Sequence, residues 1–358
     1  MGPHDGAIDA CAVVARYHSA VQNLTLKSQI PYNRYHPLER SHFSGDTLLT
    51  GALMASTPTA HSSACFAEHD FQPAVGLKEE YLSTVRRGRR RMAESRIVFC
   101  GLARNVGGIL PLTRVRLERT GEMFADYRVF LYENDSTDNT PRQLAAWAAD
   151  NPRVEYNSER CGRRQHASVR CLDRAADMAE YRNRCQQSVR ERWSDFDYVC
   201  VVDTDLHKGW SYDGLAHSFG SDSWDFVGAY GIIQRRRHFS LRPLHYDVWA
   251  YREFGDYTPL EGKVGNALAW RRGQPLVPVY SCFGGLGLYR MPAWLSASYS
   301  GDDCEHVTLH QAMRAAGYGR QFLNPSQITL YGHKVRSFDR LLLPLGQVLQ
   351  TAACLFAF

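Results

Sequence analysis

The residues with the clearest chemical potential are Asp203, Thr204 and Asp205, which directly follow the apolar run Tyr198-Val-Cys-Val-Val202. Two carboxylates spaced i, i+2 at the end of an apolar strand cost free energy unless a cation compensates them. No Lys or Arg separates the two aspartates, and Lys208 comes only later. A hard divalent cation, Mn2+ or Mg2+, is the natural partner, with oxygen ligands and open positions for phosphate oxygens. Such a centre clamps a diphosphate and neutralises it as it leaves. The plain alternative is a surface turn with two solvated aspartates.

The second candidate is the polar loop Tyr132-Glu-Asn-Asp-Ser-Thr-Asp-Asn-Thr140. An acidic residue at a strand end can accept hydrogen bonds from a nucleobase or from ribose hydroxyls. Glu133 is the residue expected to touch ligand, with Asp135 beside it. Ser136, Thr137 and Asp138 are expected to cap the helix that follows.

These loops need elements to hold them. Ile97–Leu102 is a short apolar run of buried-strand type, and Ile109, Leu112, Val115 and Leu117 give the helical period after it. Tyr127–Tyr132, Val154–Tyr156 and Asp197–Val202 read as strands, and 143–149 and Leu172–Trp193 as helices. Alternating strands and helices argue for an α/β fold with a mostly parallel, doubly wound sheet. Ligands bind beyond the carboxyl ends of such strands, where both polar loops fall. After residue 225 come strands at 224–230 and 276–281, separated by an aromatic-rich insert. A glycine-rich turn into a strand at 283–289, a helix opened by Asp302–His306 and a strand at 328–331 complete the pattern.

The order strand, "ENDSTDNT", helix, helix containing Arg182-Asn183, strand, "DTD" resembles the nucleotide-sugar glycosyltransferases of the GT-A fold. Such a fold is Rossmann-like, a mostly parallel central sheet with helices on both faces. The resemblance implies that Glu133 takes the nucleoside-binding position and that Asp203 and Asp205 form the metal-binding D-x-D. It extends nucleotide-sugar contact to Asp135, Arg104, Asn183, Asp203, Gly284 and Gly285. Later segments resemble the fungal capsule-associated mannosyltransferases: Tyr246-Asp-Val-Trp-Ala-Tyr-Arg252, Val279-Tyr-Ser-Cys-Phe-Gly-Gly285, Cys304-Glu305 and Leu323-Asn-Pro325. The likeness covers residues 97–334. The amino-terminal membrane anchor of the fungal enzymes is not expected here and the loops differ, so the resemblance implies a hexose donor, with mannose as one candidate, and does not fix it.

The second half admits matching roles. Gly284-Gly285 lets backbone approach a sugar closely, although either glycine alone could mark a β-bulge. Asp302, Asp303 and Glu305 precede a helix; Glu305 or Asp303 is the candidate base for an acceptor hydroxyl. Helix-dipole charge is the alternative. His306 and His310 lie beside Glu305 at helical spacing, or form a surface pair. Asp247, Trp249 and Arg252 are candidate acceptor or sugar contacts, Trp249 by stacking and Arg252 by its planar fork. Arg235-Arg-Arg237 offers charge for an anionic acceptor or is solvated. His333, after a strand and Gly332, is a further metal ligand by resemblance.

The chain has 358 residues, with 42 Lys plus Arg against 37 Asp plus Glu, hence a net charge of +5. The size supports a substantial core, and 44% hydrophobic with 22% charged residues excludes a disordered chain or a polytopic membrane protein. The small excess charge is no nucleic-acid signature but suits anionic ligands. Ten cysteines include no C-x-x-C pair, which argues against zinc ribbons and for a reducing, cytoplasmic setting. No P-loop, dinucleotide fingerprint or hydrolase elbow is present. The expected organisation is an irregular extension over 1–95 ending in a basic helix, a catalytic domain over 96–336 and an apolar tail over 337–358. Leu341–Phe358 carries no charge and is either a docked last helix or an interfacial membrane foot. The expected partners are a GDP- or UDP-sugar and a glycan or glycolipid acceptor. The rival readings are a non-catalytic nucleotide-sugar or glycan binder of the same fold, and a sugar nucleotidyltransferase.

Overall fold

The computed structural model describes residues 66–237 and 240–334, all within one compact unit. The elements are α1 (Lys78–Ala93), β1 (Arg96–Ala103), α2 (Leu110–Gly121), β2 (Asp126–Asn134), α3 (Thr140–Asp150), β3 (Val154–Glu159), α4 (Leu172–Trp193) and β4 (Tyr198–Val202). They continue with β5 (Gly209–Trp210), α5 (Tyr212–Gly220), β6 (Phe226–Arg237), β7 (Ser240–His245), β8 (Arg252–Glu253), α6 (Gly262–Ala267) and β9 (Val277–Ser281). Last come β10 (Leu286–Arg290), α7 (Met291–Leu295), α8 (Glu305–Ala315) and β11 (Gln321–Lys334).

The strand order is β3-β2-β1-β4-β10-β6-β11-β9-β8. Strands β3, β2, β1 and β4 pair in parallel, as do β6 and β11. β10 enters antiparallel between β4 and β6, so β6 and β11 run in the direction of β4. The expected mostly parallel α/β sheet is therefore present, with β10 antiparallel inside it and β9 antiparallel to β11.

Period-2 alternation divides the strand residues between two cores. Val98, Cys100, Phe130, Tyr132, Val199 and Val201 pack with Ala179, Cys185 and Trp193 of α4, Trp294 of α7 and Leu309 and Met313 of α8. Ile97, Phe99, Val129, Leu131, Cys200 and Val202 pack on the other face with α1, α2, α3 and α5. Helices cover both faces, which is why β1, β2 and β4 read as continuous apolar runs rather than alternating ones.

The basic helix expected to end an extension is a core element. Tyr81, Val85 and Met92 of α1 are buried with the sheet, and Gly88 lies so close to α5 that a Cβ would meet the Ala216 carbonyl oxygen at 1.6 Å. Its arginines serve this contact: Arg91 donates to the carbonyls of Phe219 (3.0 Å) and Ser221 (3.2 Å) at the end of α5. The remainder of 1–65 and the apolar tail 341–358 lie outside the described residues. Among the described residues no helix is long and apolar enough to cross a membrane. The described cysteines are all free, and five of the seven are buried.

Candidate active site

Three loops at the carboxyl ends of β1, β2 and β4 are tied together before any ligand is considered. After β1, the Asn105 N–H donates to Ser136 Oγ at 3.0 Å and the Val106 N–H to Thr140 Oγ1 at 2.9 Å. Asp138 accepts from the N–H groups of Gly107 and Thr140, both at 2.9 Å, and so ties the loop after β1 to the first residue of α3. The loop after β4 is held by Thr204 Oγ1, which donates to the Leu102 carbonyl at 2.7 Å, and by buried Arg116, which donates to the carbonyls of Leu206 (2.7 Å) and His207 (3.0 Å). Asp203 and Asp205 are thereby presented by a rigid turn.

Asp203 sits at the centre of a carboxylate cluster. Its backbone N–H donates to the Gly285 carbonyl at 2.9 Å. Its Oδ2 accepts from the Tyr331 hydroxyl, and Arg182 Nη2 approaches its Oδ1 at 3.6 Å. The same guanidinium donates from Nε to Glu305 Oε1 at 3.2 Å and lies over the Phe283 ring. Burial works against the charge of Arg182, but Glu305 and Asp203 outweigh it and hold the guanidinium protonated. Asp247 completes the group; it sits in the left-handed region at φ 64° and accepts from the Gly284 N–H at 3.2 Å.

One cation does not compensate this much negative charge. Burial, with Asp205 adding to it, pushes the Asp203 carboxyl up to about 6. Burial and the neighbouring Asp203 and Glu305 push Asp247 up to about 7. Asp205 is exposed at the rim, yet the protein around it also raises its carboxyl, against the pull of Arg174. The Tyr331 hydroxyl is raised well above its ordinary value by burial and by Asp203, and Tyr246 stacks on its ring at 3.6 Å.

Two carboxylates driven toward protonation for want of positive charge are the donor set of a hard divalent cation. The Asp205 side chain makes no hydrogen bond or ion pair among the described residues, and Asp203 keeps 28% side-chain exposure. The residues fit such an ion. No group of three or more His, Cys, Asp or Glu among the described residues is arranged to hold a metal ion, so Asp203 and Asp205 would supply only two of its ligands. The remaining oxygens must then come from a ligand and water, as is usual for Mg2+ bound with phosphates.

The glycine pair stands where it was expected to matter. Gly284 (φ 64°) and Gly285 (φ 84°) are both left-handed. A Cβ would meet the Ala229 carbonyl oxygen at 2.3 Å from Gly284, and the Tyr331 hydroxyl at 2.8 Å from Gly285. They bring backbone against Asp203 and Asp247, a placement no side chain allows.

Other candidates are spent on structure. Glu133 is 1% exposed. Its two oxygens accept from the Ser136 N–H (2.9 Å) and the Ser158 hydroxyl, so it organises the loop instead of presenting a carboxylate to ligand. Asp135, at φ 53°, accepts from the N–H groups of Gly162 (2.9 Å) and Arg163 (3.1 Å). Arg104 donates to the Arg163 carbonyl at 2.6 Å. Asn183 bridges the backbone of Tyr299, its Nδ2 donating at 3.0 Å and its Oδ1 accepting at 2.9 Å. Its neighbour Arg182 is the member of that pair that reaches the cluster.

Arg252 is fully buried. It donates to the carbonyls of Trp249 (2.8 Å) and Tyr251 (2.9 Å) and to Asp303 Oδ2 (2.6 Å), so its fork is occupied. Trp249 packs half-buried against the first core. Glu305 is buried under Arg182 and accepts from the Cys304 thiol at 3.7 Å, which removes it from direct contact with an acceptor. His306 and His310 are core residues and no surface pair. His306 stacks on Phe283 at 3.7 Å, and His310 lies between Ser281 Oγ (2.8 Å) and the Tyr289 hydroxyl (3.0 Å). The His333 backbone pairs with Gln234; its side chain and those of Arg235–Arg237 lie outside the described residues.

Arg182, Tyr246 and Tyr331 were not read from sequence as site residues. An "RN" pair inside a long helix does not say which residue faces the sheet. Tyr331 carries no local signal, since it meets Asp203 through the placement of β11 beside β6, and Tyr246, though it opens a quoted segment, joins the site through its contact with the Tyr331 ring.

No family model and no curated protein matches the chain. Several solved structures are similar to it. One is the mannosyltransferase PcManGT from Pyrobaculum calidifontis in complex with GDP-Man and Mn2+, at 14% identity, covering 72% of this chain and 67% of that one, TM-score 0.40. Another is GalNAc-T7 with UDP, GalNAc and Mn2+, at 11% identity over 68% of this chain and 45% of that one, TM-score 0.41. A third is glucosyl-3-phosphoglycerate synthase from Mycobacterium tuberculosis with Mn2+, UDP and phosphoglyceric acid, at 14% identity over 72% and 77%, TM-score 0.39. Likenesses of this size leave the chemistry of the chain to its own residues.

Proposed function

We propose that the chain is a metal-dependent glycosyltransferase of the GT-A type, moving a hexose from a nucleotide-diphosphate sugar to a hydroxyl acceptor. The observation that carries this reading is the under-compensated carboxylate cluster Asp203, Asp205, Asp247 and Glu305 at the carboxyl end of β4. Asp203 and Asp205 would hold Mn2+ or Mg2+, with His333 as a proposed further ligand. When bound, the ion neutralises charge on the departing diphosphate. Tyr331 and Arg182 fix the Asp203 carboxylate from two sides. The backbone of Gly284-Gly285 leaves room for the sugar. Asp247, which accepts from the Gly284 N–H beside Asp203, is the proposed group to take the acceptor proton, and Asp303 is held by Arg252. Mannose is the finer proposal, supported by the quoted segments: Asp247, Gly284-Gly285 and Glu305 come from three of them and meet at one place.

The test is a nucleotide-sugar panel, led by GDP-mannose and UDP-sugars, with Mn2+ and then EDTA. Thermal shift and slow donor hydrolysis are the readouts. One donor should stabilise the protein only with metal and be slowly hydrolysed. Asp205→Ala should abolish transfer while leaving the fold intact; near-normal turnover would sink the metal role. The second reading, a non-catalytic binder, is favoured by one feature: Arg182 already supplies an internal countercharge. Donor binding without hydrolysis or transfer would select it.

A further inference from the structure

The segment between β3 and the first turn of α4 carries five arginines, at 160, 163, 164, 170 and 174, against one acid, Asp173. These fifteen residues hold most of the +5 charge of the whole chain. The arginines divide into two groups. Arg163 is an anchor: it pairs with Asp177 and Glu180 of α4, beside His166, which meets Asp177 at 2.8 Å. The N–H groups of Gly162 and Arg163 are tied to Asp135, and Arg104 holds the Arg163 carbonyl. The local acids are thus consumed in fastening the segment over the carboxyl ends of β1 and β2.

Arg160, Arg164, Arg170 and Arg174 make no side-chain hydrogen bond or ion pair among the described residues. Their placement is costly. Arg170 and Arg174 flank the start of α4, where the helix dipole disfavours cations. The tethers to Asp135 hold the start of the segment at the carboxyl end of β2, and the Arg170 guanidinium lies 3.7 Å from where a Cβ on Gly262 of α6 would stand. The segment therefore bridges from the β2 loop to the insert.

We infer that this arginine strap binds an oxyanion on the acceptor, so that the acceptor is a phosphate- or carboxylate-bearing molecule. The diphosphate of the donor has its own countercharge at Asp203 and Asp205 through the cation, and the strap reaches α6 of the insert. Assignment to the acceptor rests on the proposed transferase reading; the oxyanion site itself does not.

The probe is glucose 6-phosphate, with glucose as control, at fixed ionic strength. It is added to the full chain with and without saturating UDP or GDP and Mn2+. Glucose 6-phosphate should raise Tm with the nucleotide site filled, and glucose should not. The double variant R164Q/R170Q, at exposed positions, should weaken that response at least tenfold and leave the nucleotide shift unchanged. No response of the wild type to glucose 6-phosphate overturns the inference. So does a variant that loses the nucleotide shift instead, because the strap would then serve the donor. Exposed Val169 and Leu172 flank the arginines, so a third arm uses phosphatidylglycerol vesicles. Arginine-dependent vesicle binding without a sugar-phosphate response makes the strap a membrane contact and overturns the acceptor assignment. If the wild type ignores every nucleotide but keeps the arginine-dependent response, the oxyanion site stands and the transferase reading falls.

Discussion

Arg182 is the residue on which the site balances. It lies between Asp203 and Glu305 with almost no exposure, and removing one partner of a buried ion pair costs about 3–5 kcal/mol. Arg182→Met should therefore lower Tm strongly in EDTA, and Mn2+ should restore part of the loss. A variant as stable as the wild type in EDTA would show that the acids carry little charge in the apo protein. Asp247 offers a pH test with a defined sign. Its carboxyl is raised from 3.8 to about 7. The folded state then binds a proton that the unfolded chain releases between those values. Its contribution to stability is present below about pH 4 and is lost as pH rises toward 7, by up to about 4 kcal/mol at ~1.4 kcal/mol per unit. The Tm of Asp247→Asn minus that of the wild type should grow between pH 4 and 7 in EDTA, while transfer is lost. A flat difference would remove Asp247 from the cluster.

At the scale of elements, α1 has changed places with what its composition suggests. The five arginines of Arg86-Arg-Gly-Arg-Arg-Arg91 suit either a solvated helix end or an anionic surface, but the helix packs through Gly88 on α5 and through Tyr81, Val85 and Met92 on the sheet. Gly88→Ala should destabilise the protein by several kcal/mol, since the added Cβ meets backbone and not a side chain that can move. A chain begun at residue 97 should fail to fold cooperatively, as judged by a lost thermal transition. A cooperative transition in that truncation would return α1 to the status of an appendage.

For the whole molecule, buried neutral histidines set the acid limit. Burial lowers His217 and His245 to about 4 and His310 to about 3. The unfolded chain takes up these protons near pH 6.5 and the folded one does not. Stability from these groups is complete above pH 6.5 and falls as pH drops toward 4. This opposes the trend from Asp203 and Asp247, so the apo protein should be most stable at an intermediate pH, with cation shifting the optimum upward. A Tm that keeps rising below pH 5 in EDTA would contradict the neutral histidines.

The acidic pair after β4, the loop after β2 and the helix Leu172–Trp193 were legible in the chain because each depends on local order. Apolar runs bury, polar strand ends open, and a helical period persists only on one face. That Asp203 would need a cation follows from its neighbours in sequence. What only the tertiary structure decided is which residues share that need. β10 slips antiparallel between β4 and β6, and β11 lies beside β6. Strand insertion brings Gly285, Tyr331 and Asp247 to Asp203 from as far as 128 positions away. No periodicity encodes such a pairing, because it is chosen by the packing of whole sheet faces. The same packing turned Glu133, Asn183, Arg252 and the two helical histidines inward. Their chemistry was visible in the sequence, but the direction each side chain faces is a property of the assembled core.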